Sequence, residues 1–141
     1  MSPSGARPLR GILDTSAVIR LTEISDPEAL PAEPMITAVT LAELSVGPLI
    51  ATTERERAVR QAHLQQAEAD FDPLPFDAAA ARAFGQVAAS LRRSGRKATA
   101  RSYDAMIAAI AIAGRLPVYT FNPGDFGAID GLEVVSLHGR E

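Results

Sequence analysis

Four acidic side chains, Asp14, Glu43, Asp104 and Asp125, stand far apart in a chain of 141 residues, yet all fall at the same kind of place. Asp14 ends a short apolar run. Glu43 lies in the first turn expected after a β-branched run. Asp104 opens an apolar helix, and Asp125 follows a strand by one tight turn. In an open α/β sheet such places share one edge, outside the C-terminal ends of the strands, where sites form. Carboxylates gathered there raise one another's pKa and repel unless a cation neutralises them. Oxygen donors, in a chain without Cys and with no well-placed His, select Mg²⁺ or Mn²⁺. Helix N-termini are themselves positive, so holding a cation beside them favours several acids over one. The chemistry that follows is phosphodiester hydrolysis, in which bound ions orient the phosphate, activate water and stabilise the leaving oxygen. Two such ions lie roughly 3.5–4 Å apart. Thr15, Ser16, Thr120 and Asn122 are neighbours able to hold water or phosphate.

Each acid also has an ordinary explanation. Asp14 is placed to cap the helix after it. Glu43 stands three residues after Thr40, the spacing of a capping box. Asp104 suits a helix dipole with Ser102 as the cap, and Asp125 suits a turn. Capping alone, however, does not require the four to share an edge.

The elements that must position them are legible as a repeated strand, turn and helix. "GILDTSAVI" (11–19) starts as a strand and turns at Asp14. The β-branched run Ile36 to Val39 reads as a second strand, with a helix from Thr40 that Gly47 and Pro48 should stop or kink. Residues 53–70 read as a polar helix with Val59, Ala62 and Leu64 as anchors. "DPLPF" (72–76) is a brief strand or extended link. Asp77 caps a long helix whose inner stripe is Ala80, Phe84, Val87 and Leu91. From Ala105 to Ala113 nine apolar residues run unbroken, closed by Gly114 and Pro117. That is too short to span a bilayer. A helix apolar all round belongs inside a domain. "LPVYTF" (116–121) and "LEVVSL" (132–137) are further strands, with "NPGD" (122–125) as a turn. The pattern predicts a three-layer α/β/α domain with a central parallel sheet. Residues 1–10 read as a flexible leader rather than a signal peptide, and 11–141 as a single domain.

Composition limits the alternatives. Apolar residues make up 47% and charged residues 22%, an ordinary globular balance. The absence of Cys excludes disulfides and thiolate chemistry and fits a reducing, cytoplasmic setting. A net charge of −3 argues against a protein that simply coats nucleic acid. Yet Arg92, Arg93, Arg96, Lys97 and Arg101, five of the 14 basic residues, fall in "LRRSGRKATAR" with no acid among them. Alone, this is a solvated helix end. Beside an acidic pocket it becomes a grip on flanking phosphates.

At these residues the chain resembles the PIN-domain ribonucleases, specifically the VapC-type toxins of bacterial toxin–antitoxin pairs. The matching pieces are "LDTSAVI" (13–19), "ITAVTLAELSVG" (36–47), "LPFD" (74–77), "YDAMIAAIA" (103–111) and "VYTFNPGDF" (118–126). Each is weak alone; their order and spacing are specific. The resemblance implies a PIN-like fold and an Mg²⁺ or Mn²⁺ centre on Asp14, Glu43, Asp104 and Asp125. It implies cleavage of structured RNA such as tRNA or ribosomal RNA; the neighbouring Ser16, Thr120 and Asn122 and the basic Arg101 are the residues expected to meet that substrate. It also implies a cognate antitoxin, docking against helices near 17–30 and 41–64, and a homodimer or toxin–antitoxin hetero-oligomer. The chain departs from the family pattern at Phe121 and Pro123–Gly124, where a basic residue and a more polar turn are usual.

Other readings fit less well. A phosphoryl-aspartate phosphatase needs a second Asp where Ser16 stands, and both it and a receiver domain need a strand-end Lys; the single Lys is Lys97. No glycine-rich phosphate loop is present. A serine hydrolase lacks a base, since His63 lies on a polar helix and His138 in the tail. An RNA- or protein-binding module with a non-catalytic acidic pocket remains the alternative.

Overall fold

"RGIL" forms the first strand, β1 (Arg10–Leu13), in a computed structural model that describes residues 9–96 and 102–139. After β1 the chain runs through α1 (Thr15–Ile19), β2 (Glu33–Met35), α2 (Ala38–Ile50), α3 (Glu54–Asp70) and α4 (Ala78–Arg93). It then continues through α5 (Ser102–Gly114), β3 (Val118–Thr120) and β4 (Val134–Ser136). All pairings are parallel and the sheet order is β2-β1-β3-β4. The expected parallel sheet between helical layers is the fold observed.

Alternation along the strands divides the core. Ile12, Val118 and Val134 pack with α4 and α5. Leu13, Tyr119 and Val135 turn to the other face, against Ala17 of α1, Leu44 of α2 and Ala67 of α3. The period of two assigns successive residues to opposite layers. The apolar helix α5 is buried from Ile107 to Ala111, as its composition requires. It ends at Gly114, as expected, and the residue that follows, Arg115, takes a left-handed φ of 56°.

Three expectations need correction. β2 lies before the β-branched run, because Thr37 caps α2 by accepting from the Thr40 N–H at 3.2 Å. That cap draws Ala38 and Val39 into the helix. Of the stop or kink expected at Gly47 and Pro48, the stop is not observed: α2 continues for two residues past Pro48, to Ile50. Proline removes one donor here, while the Arg60 guanidinium of α3 donates to the Gly47 carbonyl at 3.0 Å and holds the two helices together. On α3, Val59 and Ala62 face solvent, and the anchors are Leu64 and Ala67. The extended link at 72–76 makes one parallel bridge, Leu74 to Thr37.

β1 starts at Arg10, and residues 1–8 of the expected leader lie outside the described residues. Among the described residues no helix is long and apolar enough to cross a membrane.

Candidate functional site

The two central strands end side by side, and the site is built on their tips. Asp14 follows β1 directly and is buried, 4% exposed. Its backbone N–H donates to the Tyr119 carbonyl of β3 at 3.1 Å. Its Oδ1 accepts from the Ala17 N–H at 2.9 Å and the Ser16 hydroxyl at 2.7 Å. Its Oδ2 accepts from the Thr120 hydroxyl at 2.6 Å. Asp14 is therefore the cap of α1 and more than a cap, because Thr120 reaches it from another strand. Each carboxylate oxygen accepts about two hydrogen bonds. Among the described residues, Oδ1 is filled by these partners and Oδ2 accepts the Thr120 bond alone.

Glu43 is not a capping-box residue. α2 starts at Ala38, so Glu43 stands beyond the first turn. Its Oε1 accepts from the Thr15 hydroxyl of α1 at 2.7 Å, and Thr15 Oγ1 lies 3.0 Å from Thr40 Oγ1. Thr37, Thr40 and Glu43, at steps of three, share one face of α2. This ladder is the sequence signal that places Glu43 beside α1 rather than in a cap.

Asp125 is half-buried at the end of a 3₁₀ turn, Pro123–Asp125. Asp104 is half-buried in the first turn of α5. The last turn of α5 leads within a few residues into the start of β3. Its first turn therefore lies toward the edge where β1 and β3 end. Ser102, expected as the cap, lies within α5 as described, and the residues just before it lie outside the described residues.

Electrostatics link the acids. Burial pushes the Asp14 carboxyl above its ordinary value, opposed by the bonds from Thr120, Ser16 and Ala17 and reinforced by the Asp125 charge. Burial likewise raises Glu43, opposed by Thr15 and reinforced by the Asp14 charge. Ionised carboxylates in such a place call for a cation. Among the described residues no three Asp, Glu or His side chains form a ready cage. Mg²⁺ commonly keeps several waters and takes one or two carboxylates plus substrate phosphate. An all-oxygen donor set, with Asp14 Oδ2 accepting a single bond among the described residues, fits that habit.

The candidate substrate residues separate. Thr120 is fully buried, and its hydroxyl both donates to Asp14 and accepts from the Asn122 N–H at 2.9 Å. It supports the carboxylate rather than meeting substrate. The Ser16 hydroxyl is similarly engaged, accepting from the Phe121 N–H at 3.1 Å. Asn122 is exposed. Arg101 lies outside the described residues. Among the described residues neither His63 nor His138 bonds the Asp14 carboxylate; His63 lines a cleft between α1 and α3.

The sequence model of the PIN domain matches residues 11–132. The chain belongs to the PIN domain family. This PIN domain is 42% identical to Ribonuclease VapC5 of Mycobacterium tuberculosis, covering 92% of this chain and 95% of that protein. Its fold matches the crystal structure of VapBC-5, a member of the VapBC toxin–antitoxin family from the same organism. There the TM-score is 0.81 at 40% identity, covering 92% of this chain and 100% of that one. DNA-bound VapBC from Salmonella typhimurium gives a TM-score of 0.70 at 27% identity, covering 89% and 96%. It is thus a PIN domain of the VapC type, with Asp14, Glu43 and Asp125 near the C-terminal ends of the central strands.

Proposed function

We propose that the protein is an Mg²⁺- or Mn²⁺-dependent endoribonuclease that cuts structured RNA, tRNA or ribosomal RNA. In this reading it acts in the cytoplasm as the toxin partner of a cognate antitoxin. The observation that carries the reading is the buried Asp14 carboxylate, oriented by three donors, with the charges of Glu43 and Asp125 acting beside it. Kinship with Ribonuclease VapC5 supports the RNA substrate.

Asp14, Glu43, Asp104 and Asp125 are the residues that would hold the cation, one or two of them directly and the others through its waters. When bound, it supplies charge for the phosphate and lowers the pKa of the attacking water. The chain does the rest. Thr120, Ser16 and the Ala17 amide fix the plane of the Asp14 carboxylate. Thr15 fixes one oxygen of Glu43. Arg92, exposed at the end of α4, is available to flanking phosphates.

The antitoxin surface follows from the shape. A cleft of about 440 Å³ between α1 and α3 is lined by Ile19, Val59, Arg60 and His63 among others. Ile19, Arg60 and His63 also border a smaller cleft that reaches Thr15 and Glu43. Ile19 of α1 and Val59 of α3 are exposed apolar residues, as are Leu49 and Ile50 at the end of α2. A partner segment seated there reaches the acids and blocks them. The kinship with structures of VapBC complexes supports this partner.

The test uses purified protein, structured RNA, and Mg²⁺, Mn²⁺ or chelator. Cutting in metal that disappears in Asp14→Asn and in Asp104→Asn is the expected result. RNA bound but uncut under every metal condition would establish the non-catalytic binding module instead. Cutting retained by both variants would place the chemistry elsewhere.

A further inference from the structure

The turn that presents Asp125 is held from outside the sheet. The Arg96 guanidinium donates to the Gly124 carbonyl at 2.7 Å, one residue before Asp125. The direction of Arg96 is set by the way α4 ends. Gly95 takes a left-handed φ of 84°. Its N–H donates to the Arg92 carbonyl at 3.1 Å, and the Arg96 N–H donates to the Leu91 carbonyl at 2.8 Å. That pair of bonds is a Schellman cap, and Arg96 is the residue just past its glycine. Leu91 is buried in the core, so the cap is anchored.

The same helix end grips the far side of the same loop. Arg93 donates to Asp130 at 2.8 Å, and the Ser90 hydroxyl accepts from the Asp130 N–H at 3.3 Å. At its near side the loop is tied by the Asn122 N–H to Thr120, the residue that orients Asp14. Arg96 closes this frame at Gly124. A charged donor on a carbonyl is among the stronger hydrogen bonds available to it.

We propose that Arg96 is a positioning residue for the metal centre, fixing the turn that carries Asp125 so that its carboxylate stays beside Asp14. The proposal rests on the metal-dependent reading of the site. Partners that orient ligands from behind are typically worth 10–100-fold in metal affinity or activity. The competing role for Arg96 is a direct grip on an RNA phosphate, and it gives different results.

The experiment uses the full chain and three measurements: Mn²⁺ binding by calorimetry without RNA, RNA cleavage against Mn²⁺ concentration, and RNA binding against salt in chelator. Arg96→Ala should weaken Mn²⁺ binding about tenfold and move the half-maximal Mn²⁺ for cleavage by the same factor. Its salt slope for RNA binding should match that of the wild type. Arg96→Lys, which keeps a charged donor, should recover most of the loss. Wild-type Mn²⁺ affinity in Arg96→Ala, with a salt slope lower by about one, would overturn the proposal in favour of a phosphate contact. Should Arg96→Ala fail to fold, Gly95→Ala decides: it keeps the guanidinium but strains the cap that aims it. Weakened Mn²⁺ binding there supports the proposal, and wild-type affinity overturns it. Asp14→Asn separates the two levels. If wild type binds no Mn²⁺, the metal reading fails and this proposal with it. If wild type binds and Asp14→Asn does not, while Arg96→Ala matches wild type, only this proposal fails.

Discussion

The Thr120 hydroxyl and the Asp14 carboxylate, 106 positions apart in sequence, meet at 2.6 Å inside the protein. One terminates β3 and the other follows β1, so this bond joins the tips of the two central strands. It sets the carboxylate plane and also receives the Asn122 N–H that begins the Asp125 turn. A single hydroxyl thus serves two of the acids.

Thr120→Val keeps the shape and removes the hydroxyl. It leaves Oδ2 of the buried Asp14 without its donor, at a cost of about 1–3 kcal/mol, and the Asn122 N–H without its acceptor. Each kcal/mol lowers Tm by about 2–4 °C in a chain near this size. The melting temperature should fall accordingly, and cleavage should fall about tenfold because Asp14 loses an orienting donor. Thr120→Ser should restore both. Thermal unfolding with a cleavage assay checks the pair; an unaltered Thr120→Val protein would remove Thr120 from the site.

Glu43→Gln tests the electrostatic cost of the cluster. The folded carboxyl lies above its ordinary value, so the folded state holds its proton more tightly than the unfolded chain does. Stability is therefore full below the ordinary carboxyl range and declines as pH rises through the folded pKa. Glutamine still accepts from Thr15 but carries no charge. In chelator the variant should melt at or above the wild-type temperature at neutral pH, with the advantage fading in acid. A lower melting temperature at neutral pH would contradict this.

Gly11→Ala should damage fold and site together. A Cβ at Gly11 would lie 2.5 Å from Tyr119 Cε1 and 2.9 Å from Cδ1, with Pro31 Cβ at 3.3 Å. Tyr119 is buried, so the ring has little room to retreat. Overpacking of this kind costs about 1–3 kcal/mol. Because the Tyr119 carbonyl holds the Asp14 N–H, the Mg²⁺ or Mn²⁺ needed for cleavage should rise as well. Unfolding and metal titration on one preparation measure both.

Arg92→Gln isolates the phosphate grip. Arg93 is paired with Asp130 and Arg96 with Gly124, whereas Arg92 is exposed at the helix end. Its loss should weaken RNA binding uniformly across sequences and lower the salt slope by about one. An unchanged slope would return Arg92 to the role of a helix-end cation.

Much of this architecture is legible because local pattern and tertiary demand agree. Helix α5 announces itself through its unbroken apolar run, and Asp77 through its place before an amphipathic stretch. The start of α2 is misread because two Thr-x-x spacings overlap. Thr37-x-x-Thr40 competes with Thr40-x-x-Glu43, and burial of Thr40 against Thr15 decides between them. The role of Thr120 is hidden for a related reason: a hydroxyl at a strand tip faces substrate or core according to what packs behind it. The Arg96 bond to Gly124 spans 28 positions and has no local signature at all.

The strand order β2-β1-β3-β4 has a dynamic consequence. The outer strands expose part of their length, while β1 and β3 are buried almost throughout. Transient opening starts at the margins of a domain, where burial is least. Fraying of either margin thus leaves the inner pair closed, and the tips that seat Asp14 and Thr120 should be the last to lose protection from amide exchange.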